Sequence, residues 1–320
     1  MAQLPAALQS AIDEMTGTCE RAALARDAQA ISESYRLRTG RGERLLTRES
    51  EAAAYAAARM PATYAAAHAA LSEALLSAGI APRTLLDCGA GTGAVSWAAD
   101  DLLALTAVTC LEREDAMRSV GSLLMQAGAG ALSQAVWASC DLTAAQALPR
   151  AELVMEGYML GELREELRLP VAGRLWDAAE RMLLLIEPGT PQGFANLAAV
   201  RDHLAGLGAH VVAPCPAGTT RCPMAEGDWC HFAVRVQRTR LHKALKGGDA
   251  PYEDEKFCYL ALTREAPNTP CAARELRHPV IAPGRITLTL CERGEKTVRV
   301  VTKKDPLWKR VRKIGAGDCV

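Results

Sequence analysis

The sequence predicts an α/β fold built on a doubly wound parallel sheet. From about residue 84 onward, short apolar runs alternate with segments of helical composition, which is typical of a parallel sheet covered by helices. A glycine-rich loop follows the first apolar run, as it does in nucleotide-binding folds. The chain has 320 residues, enough for one large domain or two modest ones.

The first 80 residues predict a helical region. They are rich in alanine, leucine, glutamate and arginine, which are strong helix formers. Pro61 should interrupt a helix or begin a new one, because proline cannot donate a backbone hydrogen bond. Gly79 should end the last of these helices.

The sheet strands are predicted from six apolar runs with helical segments between them. These runs are TLLDCG, AVTCLERE, QAVWASCDL, AELVMEGYML, RMLLLIEPG and HVVAPCP. After Cys230 the chain becomes basic, and two or three antiparallel strands with a turn at Gly294 are expected near its end. We therefore expect a helical region over 1–80, a Rossmann-like domain over 81–214, and a cysteine cluster with a small β appendage over 215–320.

The glycine loop predicts a cofactor site. Asp87 precedes Gly89, Gly91 and Gly93, and the loop lies between a strand and the helix that follows. Glycines allow the backbone to turn tightly and approach a ligand, and a helix N-terminus offers free N–H groups. Glu112 ends the next strand, where an acid can bind ribose hydroxyls. The form G-x-G-x-G after an aspartate resembles S-adenosylmethionine-dependent methyltransferases more than NAD enzymes.

Two further acids complete the predicted cofactor site. Asp141 ends the third strand, where methyltransferases of this class often contact the adenine amine. Glu156 lies past the fourth strand, where such enzymes contact the substrate or the methionine moiety. Amino-methylating enzymes that resemble this class carry Asn/Asp-Pro-Pro-Tyr after the fourth strand, where this chain has MEGYMLGEL. Cytosine-C5 methyltransferases use a catalytic cysteine near a proline in the same region or after the fifth strand, where this chain has IEPGTPQG without a cysteine. No catalytic residue is therefore assigned, and methyl transfer and cofactor binding without turnover both remain open.

Cysteines predict a metal centre. In a reducing compartment the eleven cysteines are not expected to form disulfides. Cys215, Cys222 and Cys230 lie within 16 residues in a proline-rich segment, and a closed site needs a fourth ligand. His231, Cys258 and Cys271 are possible fourth ligands, but Cys291, at a strand end before a turn, is preferred. The wide spacings favour an Fe–S cluster, with zinc as the lesser alternative.

Charge is divided unevenly along the chain. Residues 1–200 hold 16 Lys+Arg against 24 Asp+Glu, whereas residues 201–320 hold 21 against 13. A basic segment on an otherwise acidic chain predicts a polyanionic partner, most simply RNA. The sequence shows no leader pattern and no apolar run long enough to span a bilayer, so we expect a cytoplasmic protein that binds neither membrane nor DNA.

Several sequence blocks carry a family resemblance. The chain resembles the mitochondrial small-ribosomal-subunit assembly methyltransferase-like proteins and their bacterial relatives, from about Glu51 to its C-terminus. The blocks are PATYAAA, LLDCGAGTGAVSWAA, LVMEGYMLGEL, IEPGTPQGF, APCP, DWCHF and PYEDEKFCYLAL. Of these, DWCHF and YEDEKF are the most specific.

The resemblance carries expectations of its own. It implies a Rossmann-like methyltransferase fold and a 4Fe–4S cluster held by Cys215, Cys222, Cys230 and Cys291. It also implies binding to small-subunit ribosomal RNA, or to the assembling small ribosomal subunit, with S-adenosylmethionine as the methyl donor if methyl transfer occurs. The alternative is a non-catalytic RNA-binding assembly factor with a methyltransferase fold.

Overall fold

The computed structural model describes most of the chain. The described residues are 2–38, 47–216, 221–224, 227–246, 249–267 and 271–320. Within these ranges, none of the helices combines the length and the apolar composition that a bilayer crossing requires.

Eight strands form the main sheet, and six of them match the predicted apolar runs. Their bounds are β1 Thr84–Cys88, β2 Ala107–Glu112, β3 Val136–Ser139, β4 Ala151–Gly157, β5 Ala179–Pro188, β6 His210–Ala213, β7 Phe232–Gln237 and β8 Tyr252–Thr263. The inner strands β1, β4 and β5 are almost wholly buried, because helices cover both faces of a parallel sheet.

The strand order confirms the predicted Rossmann-like methyltransferase fold. The order is β3-β2-β1-β4-β5-β8-β6, and β7 also pairs with β8. Strands β1 to β5 run parallel, whereas β8 is antiparallel to β5 and β6. The chain reverses its direction across the sheet between β1 and β4, and ligands of such sheets bind at the carboxyl ends of the strands near that point.

Helices cover both faces of the main sheet. Their bounds are α1 Ala6–Gly17, α2 Arg21–Arg38, α3 Glu49–Ala58, α4 Met60–Ala78, α5 Ala94–Leu102, α6 Asp115–Met125, α7 Gly130–Ser133, α8 Glu165–Ala178, α9 Pro191–Gly206 and α10 Arg240–Lys246. As predicted, Pro61 lies in the first turn of α4, and Gly79 ends that helix in the left-handed conformation with φ 65°. The alanine-rich α3 and α4 are largely buried, so they form part of the core.

A second, four-stranded sheet lies near the C-terminus. It contains β9 Ala273–Glu275, β10 Val280–Ala282, β11 Arg285–Glu292 and β12 Glu295–Thr302, and the short helix α11 Trp308–Val311 follows. The turn between β11 and β12 uses Gly294 at φ 80°, as predicted. The expected appendage over 215–320 is divided between the two sheets, because β7 and β8 extend the main sheet and only the strands after them form the second.

Candidate functional site

The glycine loop links β1 to α5. Gly89, Gly91 and Gly93 all have positive φ values, of 72°, 56° and 87°. A Cβ at Gly89 would lie 2.9 Å from Cγ of Met159, so this position is restricted both by its backbone and by its neighbour. The loop therefore requires glycine for the path that the chain takes after β1.

Glu112 holds this loop from the neighbouring strand. Its Oε2 accepts a hydrogen bond from the Gly91 N–H at 2.9 Å, and its Oε1 accepts one from the Glu114 N–H at 2.9 Å. A carboxylate has further acceptor capacity, so these two bonds leave room for ligand hydroxyls. Asp141 is exposed beyond β3, and its Oδ1 accepts bonds from the N–H and the hydroxyl of Thr143.

A large cleft opens at the carboxyl ends of the strands, with a volume of about 1170 Å³. Four of the seven predicted cofactor residues line it, and these are Gly89, Gly91, Glu112 and Asp141. Sequence reasoning missed the opposite wall, which is formed by side chains of α2 and α10 and by Tyr55 and Arg59. The helical N-terminal region therefore contributes to the cleft, although no local motif indicates it.

Asp87 is fully buried behind the loop and does not line the cleft. Its Oδ2 accepts hydrogen bonds from the N–H and hydroxyl of Ser96, at 3.1 and 2.7 Å. Burial raises the pKa of Asp87 to about 7, and the bonds from Ser96 partly oppose that shift. Asp87 thus ties the end of β1 to the first turn of α5 and supports the loop from behind.

Glu156 and Glu187 form a buried acid pair at the ends of β4 and β5. Glu156 accepts hydrogen bonds from the N–H groups of Met159 and Leu160, whereas Glu187 accepts from Gly161 N–H and from the Asn196 amide. Burial, together with the nearby Glu187, raises the pKa of Glu156, and burial raises that of Glu187 to about 7. Glu187, which the sequence did not single out, lines the cleft, whereas Glu156 lies behind it.

Tyr158 connects the cleft to the YEDEKF block. Its φ of 66° is unusual for a non-glycine residue. Its hydroxyl donates to Glu255 Oε1 at 3.0 Å, and the Arg59 guanidinium donates to the same oxygen at 3.3 Å. The three side chains join the junction between α3 and α4, the segment after β4, and β8 in one polar network.

Five cysteines meet at a second cavity, which we call the thiol cavity. Its volume is about 50 Å³, more than the roughly 10–15 Å³ that one water needs, and most of its lining is sulfur or carbon. All four predicted ligands line it, namely Cys215, Cys222, Cys230 and Cys291, and Cys258 joins them. The Cys258 thiol donates to the Cys230 carbonyl at 3.1 Å, which gives it a partner of its own.

Burial disfavours the thiolate form of three of the four predicted ligands. Burial raises the pKa of Cys215 and Cys230, and it raises the pKa of Cys291 to about 12. Neighbouring cysteines add to each of these shifts, because like charges oppose ionisation. In the described part of the chain, no group of three or more His, Cys, Asp or Glu side chains is arranged to hold a metal ion.

The segment around Cys230, which we call the cysteine segment, is hydrogen-bonded to the rest of the fold. The Asp228 carboxylate accepts from Arg277 and, at 2.6 Å, from Lys296 on β12. The Trp229 indole N–H donates to the Gly189 carbonyl at 3.1 Å, and its ring stacks on His231. DWCHF therefore connects the main sheet to the second sheet beside the thiol cavity.

One expectation about cysteines is wrong. Cys271 and Cys319 form a disulfide, with their Cα atoms 5.7 Å apart. An antiparallel bridge between Arg274 and Cys319 brings the C-terminal segment to the start of β9, and this places the two thiols together. The pairing also excludes Cys271, in this state, as the fourth ligand.

The basic character of the C-terminal third is partly internal. The His242 ring is buried with its Nε2 3.3 Å from Glu253 Oε1, and Lys246 donates to both oxygens of Glu253. The cations after β12 are exposed instead. These are Lys303, Lys304, Lys309, Arg310, Arg312 and Lys313.

Solved structures resemble the chain at low identity. The magnesium protoporphyrin IX methyltransferase of Synechocystis PCC 6803, with bound SAM, covers 75% of this chain and 97% of its own, at 13% identity and a TM-score of 0.42. The precorrin-6y C5,15-methyltransferase of Geobacter metallireducens covers 60% and 84%, at 16% identity and a TM-score of 0.37. At such identities the resemblance concerns the fold alone.

Sequence comparison identifies the family. The human mitochondrial ribosome assembly protein METTL17 is 26% identical over 278 residues, which are 82% of this chain and 60% of the human protein. The chain thus spans about 60% of the length of that curated relative. A family profile described as mitochondrial small ribosomal subunit Rsm22 matches residues 49–320. The resemblance found in the sequence blocks is confirmed, and the chain belongs to the Rsm22 family.

Proposed function

We propose that the chain is an S-adenosylmethionine-binding protein that acts in assembly of the small ribosomal subunit. The observation that carries the proposal is the cleft at the carboxyl ends of the strands, where Glu112 holds the glycine loop in a chain of the Rsm22 family. This position is where open α/β sheets bind their ligands.

The residues of the cleft have separate roles in this proposal. The loop from Gly89 to Gly93 lets the ligand approach the backbone, and Glu112 accepts hydrogen bonds from ribose hydroxyls. Asp141 accepts from the adenine amine. Asp87 orients the loop through Ser96 without touching the ligand. S-adenosylmethionine, when bound, supplies a methyl group carried on a sulfonium.

We assign the 4Fe–4S cluster to Cys215, Cys222, Cys230 and Cys291. What supports the assignment is the chemistry of the donors, because four thiols line one cavity, although among the described residues they are not arranged around a metal ion. Zinc is the lesser alternative. Metal binding would displace the protons of the four thiols, so the affinity for the metal should fall at low pH. The cluster's role is structural, because its ligands come from the segment before β7 and from β11 and so join the two sheets.

The proposed partner is small-subunit ribosomal RNA in the assembling subunit. The exposed cations after β12 offer contacts to phosphates, which give affinity more than sequence discrimination. METTL17 is named as a mitochondrial ribosome assembly protein, and this supports a ribosomal partner for its relative here.

Methyl transfer to an RNA base is the first candidate activity. Glu187 is a carboxyl at the cleft wall whose pKa is raised to about 7, so it is poised to exchange a proton near neutral pH. A second candidate is an assembly factor that binds the cofactor without turnover. The absence of a base-methylation motif in EGYMLGEL favours this second candidate.

Binding and turnover can be measured separately. Titration calorimetry with S-adenosylhomocysteine should give a one-to-one isotherm, and Glu112→Ala should weaken binding at least tenfold, which corresponds to about 1.4 kcal/mol. Incubation with labelled S-adenosylmethionine and small-subunit RNA then tests methyl transfer. Label in the RNA identifies an enzyme, whereas binding without label supports the assembly factor. Failure of the wild type to bind the ligand would overturn the cofactor assignment.

A further inference from the structure

Arg274 is a fully buried arginine that lies directly opposite Cys291 in the β9–β11 pair. Its Nε donates to the Pro214 carbonyl at 2.9 Å, and Pro214 immediately precedes Cys215. Its Nη1 donates to Glu73 Oε2 at 2.6 Å and to the Gly317 carbonyl at 2.7 Å. The guanidinium therefore connects α4, the segment that carries Cys215 and the C-terminal segment, while the backbone of Arg274 pairs with the strand that carries Cys291.

One edge of the Arg274 guanidinium is buried and unpaired among the described residues. Arg274 lines the thiol cavity, and its Nη2 has no hydrogen-bond partner within the described part of the chain. A buried charged donor without an acceptor is energetically costly. Nη2 therefore indicates that an acceptor, most favourably an anion, belongs in the cavity.

Arg201 approaches the same cavity from α9. It is 8% exposed, lines the thiol cavity, and donates through Nε to Asp202 Oδ1 at 2.9 Å. Its guanidinium is therefore a second buried cation in the lining of the cavity that contains Cys215.

Both arginines have their carboxylate partners on the solvent side. The Glu73 side chain is 31% exposed and that of Asp202 is 68% exposed, whereas the Arg274 side chain is 1% exposed. Water screens the two carboxylates more than it screens the buried cations. Two guanidinium groups therefore lie in the cavity lining with their carboxylate partners nearer to solvent.

We propose that Arg274, assisted by Arg201, supplies the counter-charge for the thiolate-bound cluster and sets its reduction potential. This inference rests on the proposed cluster, and it adds a role for two residues that are not ligands. Four thiolates give an iron–sulfur cluster a net negative charge, and one-electron reduction makes that charge more negative. Fixed cations beside the cluster stabilise the reduced form more than the oxidised form.

The direction of the effect follows from this charge. Arg274→Gln removes the cation but keeps an amide that can donate to the cavity, so reduction should become harder. We expect the ratio of reduced to oxidised cluster at a fixed potential to fall at least tenfold, equivalent to a midpoint about 59 mV lower for one electron. Arg274→Lys keeps the charge and should stay close to the wild type. Arg201→Gln should move the midpoint in the same direction by less.

The experiment is an anaerobic redox titration of the full chain, followed by electron paramagnetic resonance and by the visible band. Iron and acid-labile sulfide are measured in each variant, and thermal melting is followed by circular dichroism. Arg277→Gln is the matched control, because Arg277 also bonds to the cysteine segment but does not line the cavity. It should leave the midpoint unchanged.

Each outcome has a distinct meaning. A wild type without iron and sulfide would overturn the cluster and this inference together. A wild type with a cluster, and an Arg274→Gln variant with the same midpoint, would overturn the counter-charge role alone. If Arg274→Gln fails to retain a cluster, the midpoints of Arg201→Gln and Arg274→Lys test the proposal instead. A wild-type midpoint in Arg201→Gln would then contradict the proposal.

Discussion

Glu112 Oε2 accepts the Gly91 N–H at 2.9 Å, so the acid that ends β2 fixes the loop that follows β1. The two residues are 21 positions apart, and only the parallel pairing of β1 with β2 brings them together. The cleft therefore depends on the loop conformation as much as on the acid. A substitution that moves the loop should impair ligand binding without removing any polar group.

Gly89→Ala should destabilise the protein and weaken S-adenosylhomocysteine binding at least tenfold. Alanine at φ 72° costs about 1–2 kcal/mol, and its Cβ would also meet Met159 at 2.9 Å. Gly130→Ala is the matched control, since Gly130 has φ 57° but open space around a Cβ. Chemical denaturation and calorimetry should show a stability loss in both variants and a binding loss only in Gly89→Ala. Equal affinity of the two variants for S-adenosylhomocysteine would contradict the role of the glycine loop in binding.

Because of Asp87, the free energy of unfolding should decrease as the pH rises. The pKa of Asp87 is raised from 3.8 to about 7, so between these values the folded protein holds a proton that the unfolded chain has lost. The free energy of unfolding should therefore decrease from about pH 4 to about pH 7, by at most about 1.4 kcal/mol per unit.

Asp87→Asn should flatten that pH profile, because an amide does not titrate. Urea denaturation at a series of pH values measures the effect, and Asp13→Asn on the exposed side of α1 is the control. The control should keep the wild-type slope. An unchanged slope in Asp87→Asn would mean that other groups cause the pH dependence.

Cys222→Ser and Cys258→Ser should differ in their iron content, although both cysteines line the thiol cavity. Cys222 is assigned as a ligand, so its serine variant should lose most of the iron and be less soluble. Cys258 already donates to the Cys230 carbonyl, a bond that serine can make, so Cys258→Ser should keep its iron. Iron and sulfide assays after anaerobic purification compare them. Full retention in Cys222→Ser would refute the ligand assignment.

The exposed lysines after β12 should govern the salt dependence of RNA binding. Changing Lys303 and Lys304 to glutamine should weaken binding to small-subunit RNA and reduce the slope of log K against log salt by about 0.7–0.9 per lost phosphate contact. The same change at Arg83 and Arg181, exposed arginines of the acidic half, should have little effect. Equal losses in both double variants would indicate a nonspecific charge effect.

Local patterns predicted the main sheet well. Runs such as TLLDCG and RMLLLIEPG are apolar because β1 and β5 are buried on both faces, and the turn chemistry of Gly79 and Gly294 is local as well. The place of the long strand β8 in the main sheet, between β5 and β6, was not predicted, because strand order is a property of the whole chain.

Parts of the sites that depend on distant contacts were not predictable. Arg274 bonds to Glu73, which is 201 residues away, and its position opposite Cys291 follows from a strand register that no local motif encodes. The disulfide of Cys271 with Cys319 arises in the same way, from the bridge at Arg274. Cys222 and Cys291 line one cavity although they lie 69 positions apart, and spacing alone left the fourth ligand open.

The central claim is that a cofactor-binding methyltransferase fold carries an iron–sulfur cluster in the thiol cavity. Its most direct test is to purify the chain without oxygen and to measure iron, zinc and acid-labile sulfide together with the visible spectrum. We predict a brown protein with about four irons and four sulfides per chain. A colourless protein with zinc or with no metal would contradict the cluster and leave only the fold and the family.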